Sequence, residues 1–348
     1  MTANAFKTRR VGRTELELTE LGLGGATLAG MGGNEVPDEQ ARALVSAALD
    51  AGIGYYDTAP HYGDGRSEHL MGDGLRYRQD GAAISTKVGR LLRPVRSEAT
   101  RTVPRGWTYP FPFEIKYDYT YDGVMRSYEA SLQRLGLGHV EILLVHDIGV
   151  QSHGEDGNSK HWADLAGGGY KALDELRRNG DVKAIGLGVN EVPVLVKSFE
   201  IGQWDVFLLA NRYNLLEQSP LETLFPLCAS HGASVIAAGP FAAGVLAGTN
   251  VWGPDTGRYQ APPPHIVEKV TALKAVCDRH GVPLGAAALQ FGVAHPVVVS
   301  VLTGPKSPAE LEGILGWWHT PIPAAFWDEL ADKGLVAKGT PLPNGRVA

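Results

Sequence analysis

The sequence predicts an α/β protein built as a (β/α)8 TIM barrel, with an N-terminal β-hairpin and long loops at the C-terminal mouth. Eight short, almost continuously apolar runs recur along the 348 residues, as expected of parallel strands that are buried on both faces. Each run is followed by a segment with apolar residues at helical spacing. Eight such units in alternation fit a closed parallel barrel better than an open sheet.

The predicted strands follow one another at regular intervals. They are residues 20–24, 54–58, 82–88, 140–146, 182–188, 206–210, 233–238 and 297–302. Residues 38–51 and 123–135 are two of the predicted helices, and a glycine stands just beyond each of them, where a helix end favours positive φ.

Before the first predicted strand, residues 7–11 and 15–19 flank Gly12-Arg13-Thr14, which predicts a hairpin that closes one end of the barrel. No repeat, low-complexity segment or linker divides the chain. We therefore expect one domain over residues 1–348. Residues 338–348 are rich in proline and glycine, which predicts a flexible tail.

Composition excludes several classes of protein. Hydrophobic residues make up 44% and charged residues 20%, which is typical of globular proteins. The net charge of −6, without a basic face, argues against a nucleic-acid partner. No apolar run approaches the ~18–20 residues of a membrane span, and no apolar segment follows the charged N-terminus as in a signal peptide. We expect a cytoplasmic protein, with no membrane partner and with Cys228 and Cys277 as reduced thiols.

Two predicted loops are long enough to form a substrate pocket. Residues 89–119 carry six aromatic side chains among several prolines, and residues 147–161 are strongly polar. Both follow strands, so both are expected at the C-terminal mouth, where barrel active sites form.

Three predicted strands end in an ionisable residue. Asp57 ends the second, Lys87 the third and His146 the fourth, and Tyr62 follows shortly after Asp57. Neighbouring strands of a parallel barrel place their C-terminal ends side by side, so these groups are expected to converge. Burying a lysine and an aspartate there is costly unless the two side chains pair.

Such a group can move a proton on or off a substrate oxygen. A phenol has a pKa near 10, and a buried lysine cation beside Tyr62 would lower it, while Asp57 holds Lys87 in place. His146 would donate a hydrogen bond to a carbonyl or alkoxide oxygen. The group includes no evident nucleophile and no metal-ligand set, so hydride exchange with a nicotinamide cofactor fits best.

These residues resemble the signature of the aldo-keto reductases. DTAPHYGDGRSE at residues 57–68, ISTKVG at 84–89 and LLVHD at 143–147 follow the family's order, and the likeness extends from ELGLGG at 20–25 to VLTGPKSPAELE at 301–312. The resemblance implies that Asp57, Tyr62, Lys87 and His146 are a catalytic tetrad, with Tyr62 as general acid and base.

The resemblance also implies a nicotinamide cofactor, held across the barrel mouth without a Rossmann fingerprint. The positions that it assigns to cofactor binding are Gly25, Asp57, Asn190, Asn211, Gly239, Phe241, Gly304, Lys306, Ser307 and Glu310. Phe241 is the nearest ring that could stack on the nicotinamide. A carboxylate at Glu310 would repel a 2′-phosphate, so NAD is favoured over NADP, although Lys306 points the other way.

The run at residues 117–137 is most similar to the bacterial branch of the family that holds L-fucose or D-threo-aldose 1-dehydrogenases and pyridoxal 4-dehydrogenase. This likeness implies oxidation of an aldose at C1 to a lactone, with His61, Trp107 and His146 contacting the substrate. Pyridoxal oxidation and general aldehyde or ketone reduction are alternatives, and a redox-sensing binding subunit without turnover is a remote one. The oligomeric state stays open.

Overall fold

Eight parallel strands close into a barrel in the computed structural model, which describes residues 6–77, 81–97, 106–253 and 260–348. Around the barrel they follow chain order, β3 to β5 and then β8 to β12, as expected of repeated βα units. In chain order the strands are β1 (Thr8–Arg10), β2 (Glu17–Thr19), β3 (Leu21–Gly24), β4 (Tyr55–Asp57), β5 (Ala83–Val88), β6 (Arg90–Pro94), β7 (Phe113–Tyr117), β8 (Ile142–His146), β9 (Ala184–Val189), β10 (Val206–Ala210), β11 (Ser234–Ala238) and β12 (Val298–Thr303).

This architecture confirms the predicted (β/α)8 barrel, and each of the eight predicted strands overlaps an observed one. The agreement has a physical cause. Strands β5, β8 and β9 are buried along their whole length, because one side chain faces the barrel interior and the next faces the helices.

The predicted N-terminal hairpin is also present. Strands β1 and β2 pair antiparallel, with Arg9 opposite Leu18. Leu18 is fully buried and belongs to an apolar cluster that includes Val11, Tyr55 and Leu144. Because Tyr55 begins β4, the hairpin lies at the N-terminal end of the strands and seals the end opposite the mouth.

Helices surround the barrel and pack on its outer face. They are α1 (Asp38–Asp50), α2 (Arg66–Leu75), α3 (Tyr121–Leu135), α4 (Val150–Asp164), α5 (Tyr170–Asn179), α6 (Val192–Ser198), α7 (Leu224–His231), α8 (Pro264–His280), α9 (Leu284–Phe291), α10 (Pro308–Trp318) and α11 (Ala324–Asp332). Within the described ranges, no helix combines the length and the apolar character that crossing a membrane would require.

The two long segments at the mouth differ from the predicted loops. Residues 147–161 are largely helical, because α4 covers them and continues through a π-helical turn, Leu165–Gly169, into α5. Helix α4 is kinked at Gly154 and contains no buried residue, so its sequence lacks the apolar stripe that reveals a helix. The segment 89–119 begins and ends in the β6–β7 hairpin; its residues 98–105 lie outside the described ones.

Residues 338–348 differ from the predicted flexible tail. Thr340 is fully buried, Leu342 is 3% exposed, and Pro341 forms a β-bridge with Val347. The Asn344 side chain donates to the Ala324 carbonyl of α11 over 3.2 Å. The segment is therefore packed, because its apolar side chains find a surface that the local proline and glycine content does not reveal.

Candidate active site

The ionisable residues at the strand ends converge as predicted. Asp57 ends β4, Lys87 is next to last in β5, and His146 ends β8. These three strands are neighbours in the barrel. Their side chains are 2%, 1% and 5% exposed, so the charges lie in a site from which water is largely excluded.

Asp57 and Lys87 form a buried ion pair. The Lys87 ammonium donates to Asp57 Oδ1 and Oδ2 over 2.8 and 2.7 Å, and to the Thr58 carbonyl over 2.8 Å. An ammonium has three protons, so these acceptors use its full donor capacity and fix its position. Burial lowers the pKa of Lys87 and raises the pKa of Asp57, while the mutual attraction opposes both shifts.

Tyr62 is held over this pair by a tight turn. Its amide donates to the Ala59 carbonyl and its own carbonyl accepts from the Ser67 amide, each over 3.1 Å. Gly63 follows with φ of 64°, a conformation that glycine adopts without steric cost. The Lys87 ammonium lies 4.6 Å from the Tyr62 ring centroid. A cation at this distance stabilises negative charge on the phenol oxygen.

His146 faces the same ring from β8. The centroids of the Tyr62 and His146 rings are 5.8 Å apart and nearly perpendicular. Burial first, and then the cations of Arg90 and Lys87, hold the pKa of His146 well below its ordinary value. The imidazole is therefore neutral near pH 7. Its buried Nδ1 has no hydrogen-bond partner in the described part of the chain, which indicates a place for a ligand atom.

The predicted substrate residues line the same wall. His61 lies 5.1 Å from Trp107 and 6.0 Å from His146 between ring centroids, and Trp107 lies 5.7 Å from Tyr62. Burial lowers the pKa of His61 well below its ordinary value, and its buried Nδ1 also has no hydrogen-bond partner among the residues described. The structure thus gathers all three predicted substrate contacts around Tyr62.

A second buried ion pair borders the site, and the sequence reasoning missed it. Arg90 Nη2 donates to Asp147 Oδ2 over 2.7 Å, and that oxygen lies 3.5 Å from His146 Nε2. The two side chains are 6% and 15% exposed. Two local signals could have revealed this pair. Arg90 lies two positions after the end of β5 and Asp147 directly follows β8, and a buried charge at such a place needs a partner.

Three predicted cofactor residues meet at the ends of adjacent strands. Asn190 follows β9, Asn211 follows β10 and Gly239 follows β11. The Asn190 amide group donates to the Ala210 carbonyl over 3.3 Å. Gly239 has φ of 71°, and the Asn211 side chain occupies the space that a Cβ at Gly239 would need.

The loop after Gly239 has an unusual backbone. Ala242, Ala243 and Gly244 are all left-handed, with φ of 48°, 62° and 114°. Such values are uncommon outside glycine. The amides of Ala242 and Gly244 donate to the carbonyls of Gly239 and Phe241 over 3.0 and 2.9 Å, which closes the loop into tight turns. The Phe241 ring packs against Trp317 of α10, with the ring centroids 5.6 Å apart.

Four more predicted cofactor residues lie around the N-terminus of α10, namely Gly304, Lys306, Ser307 and Glu310. Ser307 Oγ accepts from the Glu310 amide over 3.2 Å, and Glu310 Oε2 accepts from the Lys306 amide over 2.9 Å, which forms a reciprocal cap. The Lys306 ammonium is 3.3 Å from Glu310 Oε1. Gly304 precedes this cap and packs against Thr27.

Gly25 occupies a crowded position between β3 and β4. Its amide donates to the Asp57 carbonyl over 2.7 Å, and a Cβ there would lie 2.5 Å from Ser67 Oγ. The close approach explains why this position needs glycine.

These features fit a nicotinamide dinucleotide. Four features follow one another along the chain from β8 to the start of α10. They are the unpartnered His146 nitrogen, the two asparagines Asn190 and Asn211, the left-handed loop and the α10 N-terminus. A helix N-terminus such as that of α10 is a kind of site that binds phosphate groups. No cluster of three or more potential metal ligands occurs within the described ranges.

Comparisons with known proteins agree with this arrangement. Pyridoxal 4-dehydrogenase of Microbacterium luteolum is 42% identical over 347 residues, which cover 97% of this chain and 100% of that protein. D-threo-aldose 1-dehydrogenase of a Pseudomonas species is 34% identical over 325 residues, or 92% and 95% of the two chains.

Solved structures show the same fold. An aldo-keto reductase from Bacillus halodurans, in its holo form, matches with a TM-score of 0.70 at 24% identity, over 94% of this chain and 96% of its own. Glycerol dehydrogenase from Gluconobacter oxydans matches with a TM-score of 0.70 at 21% identity, over 95% of each chain.

The sequence profile of the aldo/keto reductase family matches residues 20–334, a span that contains every strand of the barrel. Together with the two dehydrogenase relatives, this match shows that the chain belongs to the aldo/keto reductase family and is an NAD(P)-dependent oxidoreductase.

Proposed function

We propose that this protein oxidises a cyclic hemiacetal to a lactone with NAD, and that a pyridoxal-type ring is its first candidate substrate. The observation that carries the proposal is the conjunction of Tyr62, placed over the Lys87 ammonium, with a neutral His146 whose buried Nδ1 has no hydrogen-bond partner in the described residues. This pair provides a base and a hydrogen-bonding group for one substrate oxygen.

In the proposed reaction the Tyr62 oxygen accepts the proton of the hemiacetal hydroxyl. A bound nicotinamide would supply the acceptor for the hydride from the carbon that carries this hydroxyl. His146 holds the substrate oxygen in place, and the Lys87–Asp57 pair stabilises the charge that Tyr62 carries before it accepts the proton. The substrate thus loses a hydride from carbon and a proton from oxygen, two electrons and two hydrogens in total, and the hemiacetal becomes a lactone.

The walls of the site favour a flat or ring-shaped substrate. The rings of Trp107 and His61 lie beside Tyr62, and aromatic rings stack well on pyridine rings and on the apolar faces of sugars. Pyridoxal and aldoses both close to cyclic hemiacetals, so the same proton and hydride transfers serve either substrate.

The relatives change the order of the two candidates. The sequence motifs favour an aldose, whereas the pyridoxal dehydrogenase is the more similar relative, at 42% against 34% identity. We therefore place pyridoxal first. An aldose is the second candidate, supported by the aldose dehydrogenase that matches 92% of this chain.

The α10 N-terminus supports NAD as the cofactor. A helix N-terminus attracts phosphate, but here the Glu310 carboxylate already accepts the Lys306 amide proton and lies beside the Lys306 ammonium. A 2′-phosphate at this place would be repelled by Glu310 and would have to compete for Lys306.

The proposal is tested by supplying NAD or NADP with pyridoxal, L-fucose, D-arabinose and L-galactose and following reduced cofactor. Pyridoxal 5′-phosphate is the matched control, because its phosphate ester blocks closure to the hemiacetal. We expect turnover of pyridoxal with NAD, a product two hydrogens lighter by mass spectrometry, and little turnover of the phosphate ester. Equal turnover of the ester would contradict the hemiacetal mechanism, and no turnover of any compound would contradict the proposed function.

A further inference from the structure

We propose that the buried Arg90–Asp147 ion pair is a positioning device for His146, in which Arg90 binds the carboxylate beside the imidazole and so keeps the His146 ring uncharged. The inference deepens the proposed function and depends on it for the catalytic role of His146. It assigns a role to two buried charges that the tetrad chemistry does not use.

The geometry places one carboxylate oxygen between a cation and an imidazole. Asp147 Oδ2 accepts from Arg90 Nη2 over 2.7 Å and lies 3.5 Å from His146 Nε2. The arginine contact is the shorter one, and a guanidinium carries its charge at every working pH. The Asp147 carboxylate therefore binds mainly to Arg90, and it stabilises a protonated His146 less than a free carboxylate would.

The backbone holds Asp147 in this position. Its φ is 42°, a left-handed value that is uncommon for aspartate, and its amide donates to the Gly188 carbonyl of β9 over 3.0 Å. Such strained residues persist where the surrounding structure determines them closely. The backbone of Asp147 is thus fixed at the junction of β8 and β9, and Arg90 holds its carboxylate beside the imidazole.

Removing Arg90 would change the charges around the ring so that protonation of His146 becomes more favourable. The charged and titratable groups around the His146 ring are His61, Tyr62, Lys87, Arg90 and Asp147, and the Tyr119 hydroxyl donates to the His146 backbone carbonyl. Without Arg90, the Asp147 carboxylate would be left buried beside the imidazole and would favour its protonated form. The ordinary effect of Arg90, together with burial, is to hold the pKa of His146 low.

The test is an NMR titration of the ¹⁵N-labelled histidine rings, with the His146 signals assigned by their loss in His146→Gln. In Arg90→Met we expect the midpoint of His146 protonation to rise by at least about one pH unit, a tenfold change in the protonation equilibrium. The double variant Arg90→Met/Asp147→Asn should return the midpoint towards the wild-type value, because both charges are then absent.

Arg93→Met is the matched control. Arg93 lies on the same strand and pairs with Glu114 across the hairpin over 2.7 Å, but its side chain is 53% exposed. Its loss should leave the His146 midpoint unchanged. In kinetics, Arg90→Met should move the acid limb of the pH profile of kcat/KM to higher pH by the same amount as the His146 midpoint, and Arg93→Met should not.

An unchanged His146 midpoint in Arg90→Met would overturn the proposal. If Arg90→Met does not fold, the same titration is carried out on Asp147→Asn. Loss of the carboxylate should lower the midpoint of His146 protonation further. A higher midpoint in this variant would overturn the proposal. The titration needs no turnover, so it can fail while the substrate assay succeeds, or succeed while that assay fails.

Discussion

At the scale of single residues, the site is organised by two buried ion pairs on either side of the reacting group. Asp57 and Lys87 sit beneath Tyr62, while Arg90 and Asp147 border His146. In each pair the carboxylate holds a cation whose charge then acts on a neighbouring ring. Because water is largely excluded, these charges act more strongly than they would at the surface.

Glu310 gives a prediction about the cofactor. Replacing it by arginine removes the carboxylate beside Lys306 and adds a second cation at the α10 N-terminus. Glu310→Arg should raise kcat/KM for NADP relative to NAD by about tenfold or more, which corresponds to ~1.4 kcal/mol of differential binding. Steady-state kinetics with both cofactors measures the ratio.

Glu312→Arg is the control for this change. Glu312 is an exposed residue of the same helix, and its replacement by arginine changes the net charge by the same amount. An equal change of the ratio in both variants would mean that net charge, and not the Glu310 carboxylate, sets the preference.

At the scale of elements, helix α4 is attached to the barrel through Tyr119. The Tyr119 hydroxyl donates to the His146 carbonyl over 2.8 Å and lies 3.0 Å from His153 Nε2. Rings from Tyr117, His153 and His161 surround this contact. An amphipathic helix would be held by an apolar stripe; α4 has no buried residue and uses this aromatic cluster instead.

Tyr119→Phe should therefore lower the free energy of unfolding by about 1–2 kcal/mol, the cost of a lost buried hydrogen bond. Urea denaturation at pH 7.5 measures it, because burial lowers the pKa of His153 to about 4 and the imidazole is neutral there. Tyr77→Phe, at an 88% exposed tyrosine, is the control and should change nothing. Equal stability of wild type and Tyr119→Phe would show that the hydroxyl does not hold α4.

The elements also show what could be predicted from the sequence. The eight strands and the convergence of Asp57, Lys87 and His146 were predictable, because apolar runs and the ionisable residues that end them are local signals. The Arg90–Asp147 pair joins residues 57 positions apart, and no local pattern links them. Helix α4 and residues 338–348 were missed because tertiary contacts, and not their own periodicity, determine their structure.

At the scale of the whole molecule, the two ends of the barrel contribute differently, one to stability and the other to function. The N-terminal hairpin fills the end at which the strands begin, and Asp57, Lys87 and His146 lie where they end. In barrels of this kind, residues at the N-terminal end mainly contribute stability, and those at the C-terminal end mainly contribute function.

Leu18→Ala tests this separation. Leu18 is fully buried in the hairpin cluster, so its truncation should cost about 2–5 kcal/mol of stability, as other large-to-small core substitutions do. Val267→Ala, at a 47% exposed site on α8, is the control and should cost much less. Below the unfolding transition, kcat and KM should stay within about twofold of wild type for both. A large change of KM in Leu18→Ala would contradict the separation of tasks.

The central claim is that Tyr62, over the Lys87–Asp57 pair, transfers the substrate proton. It is tested most directly by the single-turnover rate of NADH formation from pyridoxal and NAD in wild type and in Tyr62→Phe. We predict that NADH still binds to the variant with near wild-type affinity, measured by its fluorescence, while the rate falls by about 10²–10⁴-fold. A rate within a few-fold of wild type would contradict the account.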